Sequence, residues 1–145
     1  MKRIPIAAFI VIAVWLALSA CASQALVISD SMQPEDYFQL AQERAEKKDY
    51  AAAIAYYYKC KEKFPDNLEK NTWASYEIAF LYHKMRDDAK ALVLLDELLS
   101  LYKQDKSRVL PQAPKLLAEQ VRENIINKGK NDLHTEPAKA VPPAQ

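Results

Sequence analysis

The chain has 145 residues, half of them apolar and about a quarter charged, a globular balance with room for one domain. Its single glycine, Gly129, argues against a β-rich or loop-rich fold, which needs glycine where φ is positive; abundant Ala, Leu, Glu and Lys instead predict an all-α fold joined by short turns. With 20 Lys plus Arg against 19 Asp plus Glu, there is no basic field for nucleic acid.

Residues 1–20 stand apart from that domain. Lys2 and Arg3 form a short cationic region, Ile4 to Leu18 is almost wholly apolar, and Leu18-Ser19-Ala20-Cys21 follows as a small-residue cleavage site ending in cysteine. This pattern resembles the signal peptide and lipobox of bacterial lipoproteins. The resemblance implies that the Cys21 thiol takes a diacylglyceryl group, that residues 1–20 are removed and that the new amino terminus is acylated. The competing reading is an uncleaved anchor, since about 17 apolar residues is the lower limit for a span. In either case the domain is exported and tethered to a membrane. Several acyl chains, at about 0.8 kcal/mol per buried methylene, would make release negligible. The family's sorting rule retains proteins at the inner membrane through an aspartate after the cysteine. Ala22 stands there, so the resemblance implies the outer membrane of a diderm bacterium, with the domain facing the periplasm.

Loss of Lys2 and Arg3 leaves 18 basic against 19 acidic residues, a mature net charge of −1. With Cys21 consumed by lipid, Cys60 is the remaining thiol; its helical pattern predicts a small core residue rather than a disulfide partner. Residues 21–33 read as the lipidated terminus and a tether.

Pro34 suits the first turn of a helix, and residues 34–67, PEDYFQLAQERAEKKDYAAAIAYYYKCKEKFPDN, then resemble a tetratricopeptide repeat of two antiparallel helices. The matches are Tyr37, Leu40 and Ala41, the Asp49-Tyr50 turn, Ala53, Tyr57 and Cys60, and the exit Pro65. Ala41 and Ala53 are small where two helix backbones cross, while Leu40, Ile54 and Tyr57 fill the surrounding holes. Ala41 replaces the usual glycine and Arg44 the usual aromatic. A second unit, residues 68–102, repeats the first at a spacing of 38: Ile78 and Ala79 follow Leu40 and Ala41, Ala91, Leu92 and Leu95 follow Ala53, Ile54 and Tyr57, and Leu98 follows Cys60. The four-residue excess is expected in the connection around Leu68 to Asn71. Tyr82 supplies the aromatic missing at Arg44, and Lys103 stands where the exit proline should be.

Pro111 and Pro114 mark a new start, and Leu116, Leu117, Val121 and Ile125 form an apolar stripe over residues 111–128, a capping helix expected to end near Gly129. Residues 129–145, with three prolines and little to bury, read as a disordered tail. The predicted architecture is therefore all-α: two tetratricopeptide hairpins in a right-handed α-solenoid plus a C-terminal cap.

No catalytic constellation is present in the sequence. His83 and His134 are far apart, no cysteine pair or carboxylate cluster has metal spacing, and no glycine loop could cradle phosphate. Asp87-Asp88 and Asp96-Glu97 read as solvated surface. The expectation is a non-enzyme with no metal and no cofactor beyond the covalent lipid on Cys21.

The stretch Asn71–Lys84, NTWASYEIAFLYHK, is more apolar than one packing stripe requires. Trp73, Tyr76, Phe80 and His83 fall on one line of its helix, outside the repeat's packing positions. In the tetratricopeptide family that line faces the concave groove, and its counterpart in the first unit contains Glu35, Phe38, Gln42 and Glu46. Either the tether, the cap or a second copy covers the line, or the groove of Phe38, Gln42, Trp73, Tyr76, Phe80 and His83 binds an extended or helical segment of an envelope protein. The Lys63-Phe64-Pro65-Asp66-Asn67 exit, followed by Ala74-Ser75-Tyr76-Glu77-Ile78-Ala79, also resembles repeats of periplasmic lipoproteins of the outer-membrane β-barrel assembly machinery, the BamD type. That family has about five repeats where this chain has two, so outer-membrane assembly is one candidate among adaptor roles. The alternative is a small-ligand carrier or transporter accessory that uses the aromatic groove as a pocket.

Overall fold

The structure, a computed structural model, describes residues 26 and 28–135. The signal segment, Cys21 and residues 136–145 lie outside the described residues. Among the described residues the secondary structure is entirely helical: α1 (Pro34–Glu46), α2 (Tyr50–Lys63), α3 (Leu68–Lys84), α4 (Asp88–Gln104) and α5 (Gln112–Thr135). Each helix packs on the next in sequence, and α3 also packs on α1 and α5.

Each helix start has a local chemical cause. Pro34 opens α1, and the Asp36 carboxylate accepts from the Gln33 backbone N–H at 2.7 Å. Asp49, Asn67 and Asp87 cap α2, α3 and α4 by accepting from the backbone N–H three residues on. The α1–α2 and α3–α4 turns are copies of one another at the 38-residue spacing. Lys48 and Arg86 both adopt positive φ, at 61° and 67°, and the N–H groups of Asp49 and Asp87 donate back to Arg44 and Tyr82 carbonyls at 2.9 and 3.0 Å. Left-handed backbone is costly for a side chain with a Cβ. Lys48→Gly or Arg86→Gly is therefore expected to stabilise the fold by about 0.5–1 kcal/mol, read as a higher urea midpoint at unchanged m.

The four alanines related by the repeat, Ala41 with Ala79 and Ala53 with Ala91, are all fully buried at helix crossings. Cys60 is likewise buried, as its pattern predicted, and its Sγ–H points to the Pro34 carbonyl at 3.9 Å, which places the end of α2 beside the start of α1.

Two expectations change. The four-residue excess is not a longer connection: α3 begins at Leu68, four residues before the position equivalent to Pro34, so the insertion is one extra helical turn. Asn71 anchors that turn, its Nδ2 donating to the Phe64 and Pro65 carbonyls at 2.9 and 2.8 Å. Gly129 does not end the last helix. It lies inside α5 with nothing beyond its neighbouring helix backbone within 4 Å of the place its Cβ would take and without positive φ, and α5 continues to Thr135. A helix end needs its hydrogen bonds interrupted, and glycine alone does not interrupt them.

Two cores result, and α3 lies between them. The first joins Tyr37 and Ala41, Ile54, Tyr57 and Cys60, and Ala74, Ile78 and Leu81 of α3. The second joins Tyr76 and Ala79 of α3 with Leu95, Leu98 and Tyr102 of α4 and Ala118, Val121 and Ile125 of α5. This double burial accounts for most of the apolar excess in Asn71–Lys84. No helix among the described residues is long and apolar enough to cross a membrane. The segment before α1 also joins the fold: Leu26 and Met32 pack against the first core, and Lys63 Nζ donates to the carbonyls of Ser29 and Asp30.

Candidate functional site

The extra turn and the double burial of α3 fix where its aromatic line can face. Trp73, Tyr76, Phe80 and His83 form a continuous ladder of rings, with centroid separations of 6.2, 5.9 and 6.4 Å along the series. Tyr76 is the correction. At 7% exposure it belongs to the second core, because α5 packs over it; the hairpin alone had no use for this side chain, but the cap does. Trp73 and Phe80 lean on the same core and remain half-buried. His83 is half-buried too, and its Nδ1 hydrogen-bonds the Asp88 carboxylate across the α3–α4 turn at 2.5 Å.

The counterpart residues of the first hairpin lie on α1. Phe38 of α1 meets Tyr57 edge-on at 5.0 Å, and Gln42, one turn on, is exposed. Lys70 of α3 places its ammonium 5.0 Å from the Phe38 ring centroid and 3.0 Å from Glu35. That contact holds the Glu35 carboxyl below its usual range. Lys84 lies 5.1 Å over the Phe80 ring. The Phe38 and Phe80 rings are thus each met by a cation, which suits rings that stay partly in water.

Glu77, which the sequence reading passed over, is the unusual charge here. It is half-buried and has no hydrogen bond or ion pair among the described residues, and burial raises its carboxyl pKa above the ordinary 4.5. Its field, together with burial as the larger cause, raises the hydroxyls of Tyr57 and Tyr76. A raised carboxyl destabilises the fold when ionised: the stability linked to its protonation is complete below the unfolded value and lost as pH rises through the folded one. Glu77→Gln is accordingly expected to raise Tm near neutral pH, with the gain vanishing below pH 4.5 in a pH series of melts.

Several other polar groups have structural partners or ordinary exposure, whereas Asn71 Oδ1 is buried without a hydrogen-bond partner among the described residues. Asp87 is the α4 cap, Asp96 pairs with Arg122 of α5, and Glu97 is exposed. Burial raises the Cys60 thiol pKa, so it is held as the protonated, inert form. Among the described residues no group of three His, Cys, Asp or Glu could hold a metal ion.

The chain was compared with family models, curated proteins and solved structures. None of them matches it. Function therefore rests on the geometry of this aromatic line and on the pattern of the sequence. Of the six residues the sequence singled out here, Phe38 is half-buried against the first core and Trp73 and Phe80 against the second, Gln42 is exposed, His83 is engaged by Asp88, and Tyr76 is buried.

Proposed function

We propose that this chain is a non-enzymatic, lipid-anchored adaptor of the bacterial cell envelope, built from two tetratricopeptide hairpins in a right-handed solenoid with a C-terminal cap. Its anchor is the lipid on Cys21, its site the periplasmic face of the outer membrane, and its partner an envelope protein held in the groove between α1 and α3. Outer-membrane protein assembly is the candidate process. The reading of the repeats is supported by the duplicated turn, in which Lys48 and Arg86, then Asp49 and Asp87, perform the same backbone tasks.

The observation that carries the adaptor reading is the half-buried Glu77, without a counter-ion among the described residues, on the same side of α3 as the half-buried Trp73 and Phe80. A charge left without a partner is costly in the free protein and rewarding when a partner supplies the opposite charge. The groove thus suits a segment with an apolar anchor and a Lys or Arg. An open, charged surface of this kind favours a peptide over an apolar small molecule, which needs an enclosed pocket.

Gln42→Trp tests this directly. Gln42 is exposed and makes no core contact, so the bulky replacement is expected to leave Tm unchanged while blocking capture of the envelope partner in a pull-down. Unchanged capture by this variant would contradict the groove.

A further inference from the structure

On the side of α3 away from the aromatic line lies a second recess. At roughly 100° per residue, Ser75 and Ile78 point almost opposite to Trp73, Tyr76 and Phe80. Helices α2 and α4 do not pack on each other, so a cleft runs between them with α3 as its floor. It consists of two adjoining hollows of about 330 and 490 Å³ that share Lys61, Ser75 and Leu101. Large apolar side chains left in water border it: Tyr58 at 44% exposure, Leu101 at 51%, Leu68 at 53% and Val109 at 64%.

Lys61 stands where the two hollows meet. Its ammonium donates to Ser75 Oγ at 2.6 Å, is half-buried, and has no carboxylate within ion-pair distance among the described residues. Burial lowers its pKa, with the more distant Glu97 acting weakly in the opposite sense. Of its three donors one is used. A desolvated ammonium between two apolar hollows is a receptor for an anion carried on an apolar chain.

We infer that the α2–α4 cleft binds an extended segment of a partner protein in which an internal Asp or Glu, flanked on both sides by apolar residues, pairs with Lys61. The cleft continues past Lys61 in both directions, towards Tyr58 and Leu94 one way and towards Leu68 and Val109 the other, so the carboxylate belongs inside the segment rather than at its end. From Leu94 to Gln104 the α4 wall is about 15 Å long, the span of about four to five extended residues. Glu97 in one hollow and Asp105 in the other oppose the incoming acid and set a limit on affinity, although the Asp105 carboxylate already accepts from the Val109 and Leu110 N–H groups. This site lies on the other face from the α1–α3 groove and stands or falls separately from it.

Fluorescence anisotropy of the full-length protein in detergent, with labelled blocked peptides of the pattern Leu-Val-Glu-Leu-Val, tests the assignment. The Glu peptide is expected to bind about tenfold more tightly than its Gln analogue and than a version with the acid only at a free C-terminus. Lys61→Met is expected to erase the preference for Glu while leaving Tm equal or higher, because it removes a desolvated charge and keeps the apolar stem. Glu97→Gln is expected to tighten the Glu peptide a few-fold. Equal binding of Glu and Gln peptides, an unaffected Lys61→Met variant, or decanoate displacing the peptide at equal concentration would each overturn it.

Discussion

Truncation after Leu110, which removes α5, is expected to lower stability by about 3–6 kcal/mol. The helix covers Tyr76 of α3 and the Leu95–Leu98–Tyr102 stripe of α4 with Ala118, Val121 and Ile125. Re-exposing two large side chains, of which Tyr76 and Leu98 are now 7% and 1% exposed, accounts for that figure at about 1.5–3 kcal/mol each. Two polar ties go with them: Arg122 to Asp96, and the Tyr102 hydroxyl to the Pro111 carbonyl. Small domains hold about 5–15 kcal/mol in total, so the truncated chain should unfold at a much lower urea midpoint and bind hydrophobic dyes. A midpoint like that of the intact chain would mean that α5 is an appendage and that Tyr76 is available to a ligand after all.

The second large effect concerns binding. Trp73→Ala and Phe80→Ala are each expected to weaken capture of the groove partner by about thirtyfold, the loss of about 2 kcal/mol that aromatic anchors at interface centres show. Both side chains also lean on the second core, so some loss of Tm accompanies the substitutions. The two causes separate by comparison with Leu95→Ala, which lies in the same core at 0% exposure and cannot touch a partner. Leu95→Ala should lower Tm at least as much while sparing capture at temperatures where the variant is folded. If Trp73→Ala and Phe80→Ala follow Leu95→Ala in both measurements, the aromatic line is core and nothing more.

The sequence carried the repeat because packing at a helix crossing tolerates few residue types. Alanine at 41, 53, 79 and 91 cannot be replaced by a larger residue without separating two backbones, so the 38-residue register is written directly in residue size. The turn is legible through Asp49 and Asp87, whose side chains must accept from specific N–H groups. The extra turn of α3 was not legible, because Leu68 to Asn71 can begin a helix or extend a connection with equal local propensity; Asn71 decides it by reaching back to the carbonyls of Phe64 and Pro65. Gly129 misled for a related reason: a helix already propagating carries one glycine at about 1 kcal/mol.

The site was legible in its rings and not in its burial. Spacing alone put Trp73, Tyr76, Phe80 and His83 on one line, but which of them α5 covers depends on how the last helix seats against α3. Glu77 and Lys61 have no local signal at all. Each looks like an ordinary surface charge until the packing of neighbouring helices leaves it half-buried with no ion pair among the described residues.

In-cell crosslinking from the groove tests the central claim most directly. A photo-reactive side chain at Gln42, with the same group at Val93 on the exposed side of α4 as the control, is expected to give a discrete protein adduct from position 42 that Trp73→Ala abolishes. No adduct at position 42, or the same adducts from both positions, would contradict the reading of the α1–α3 groove as the place where this protein holds its partner.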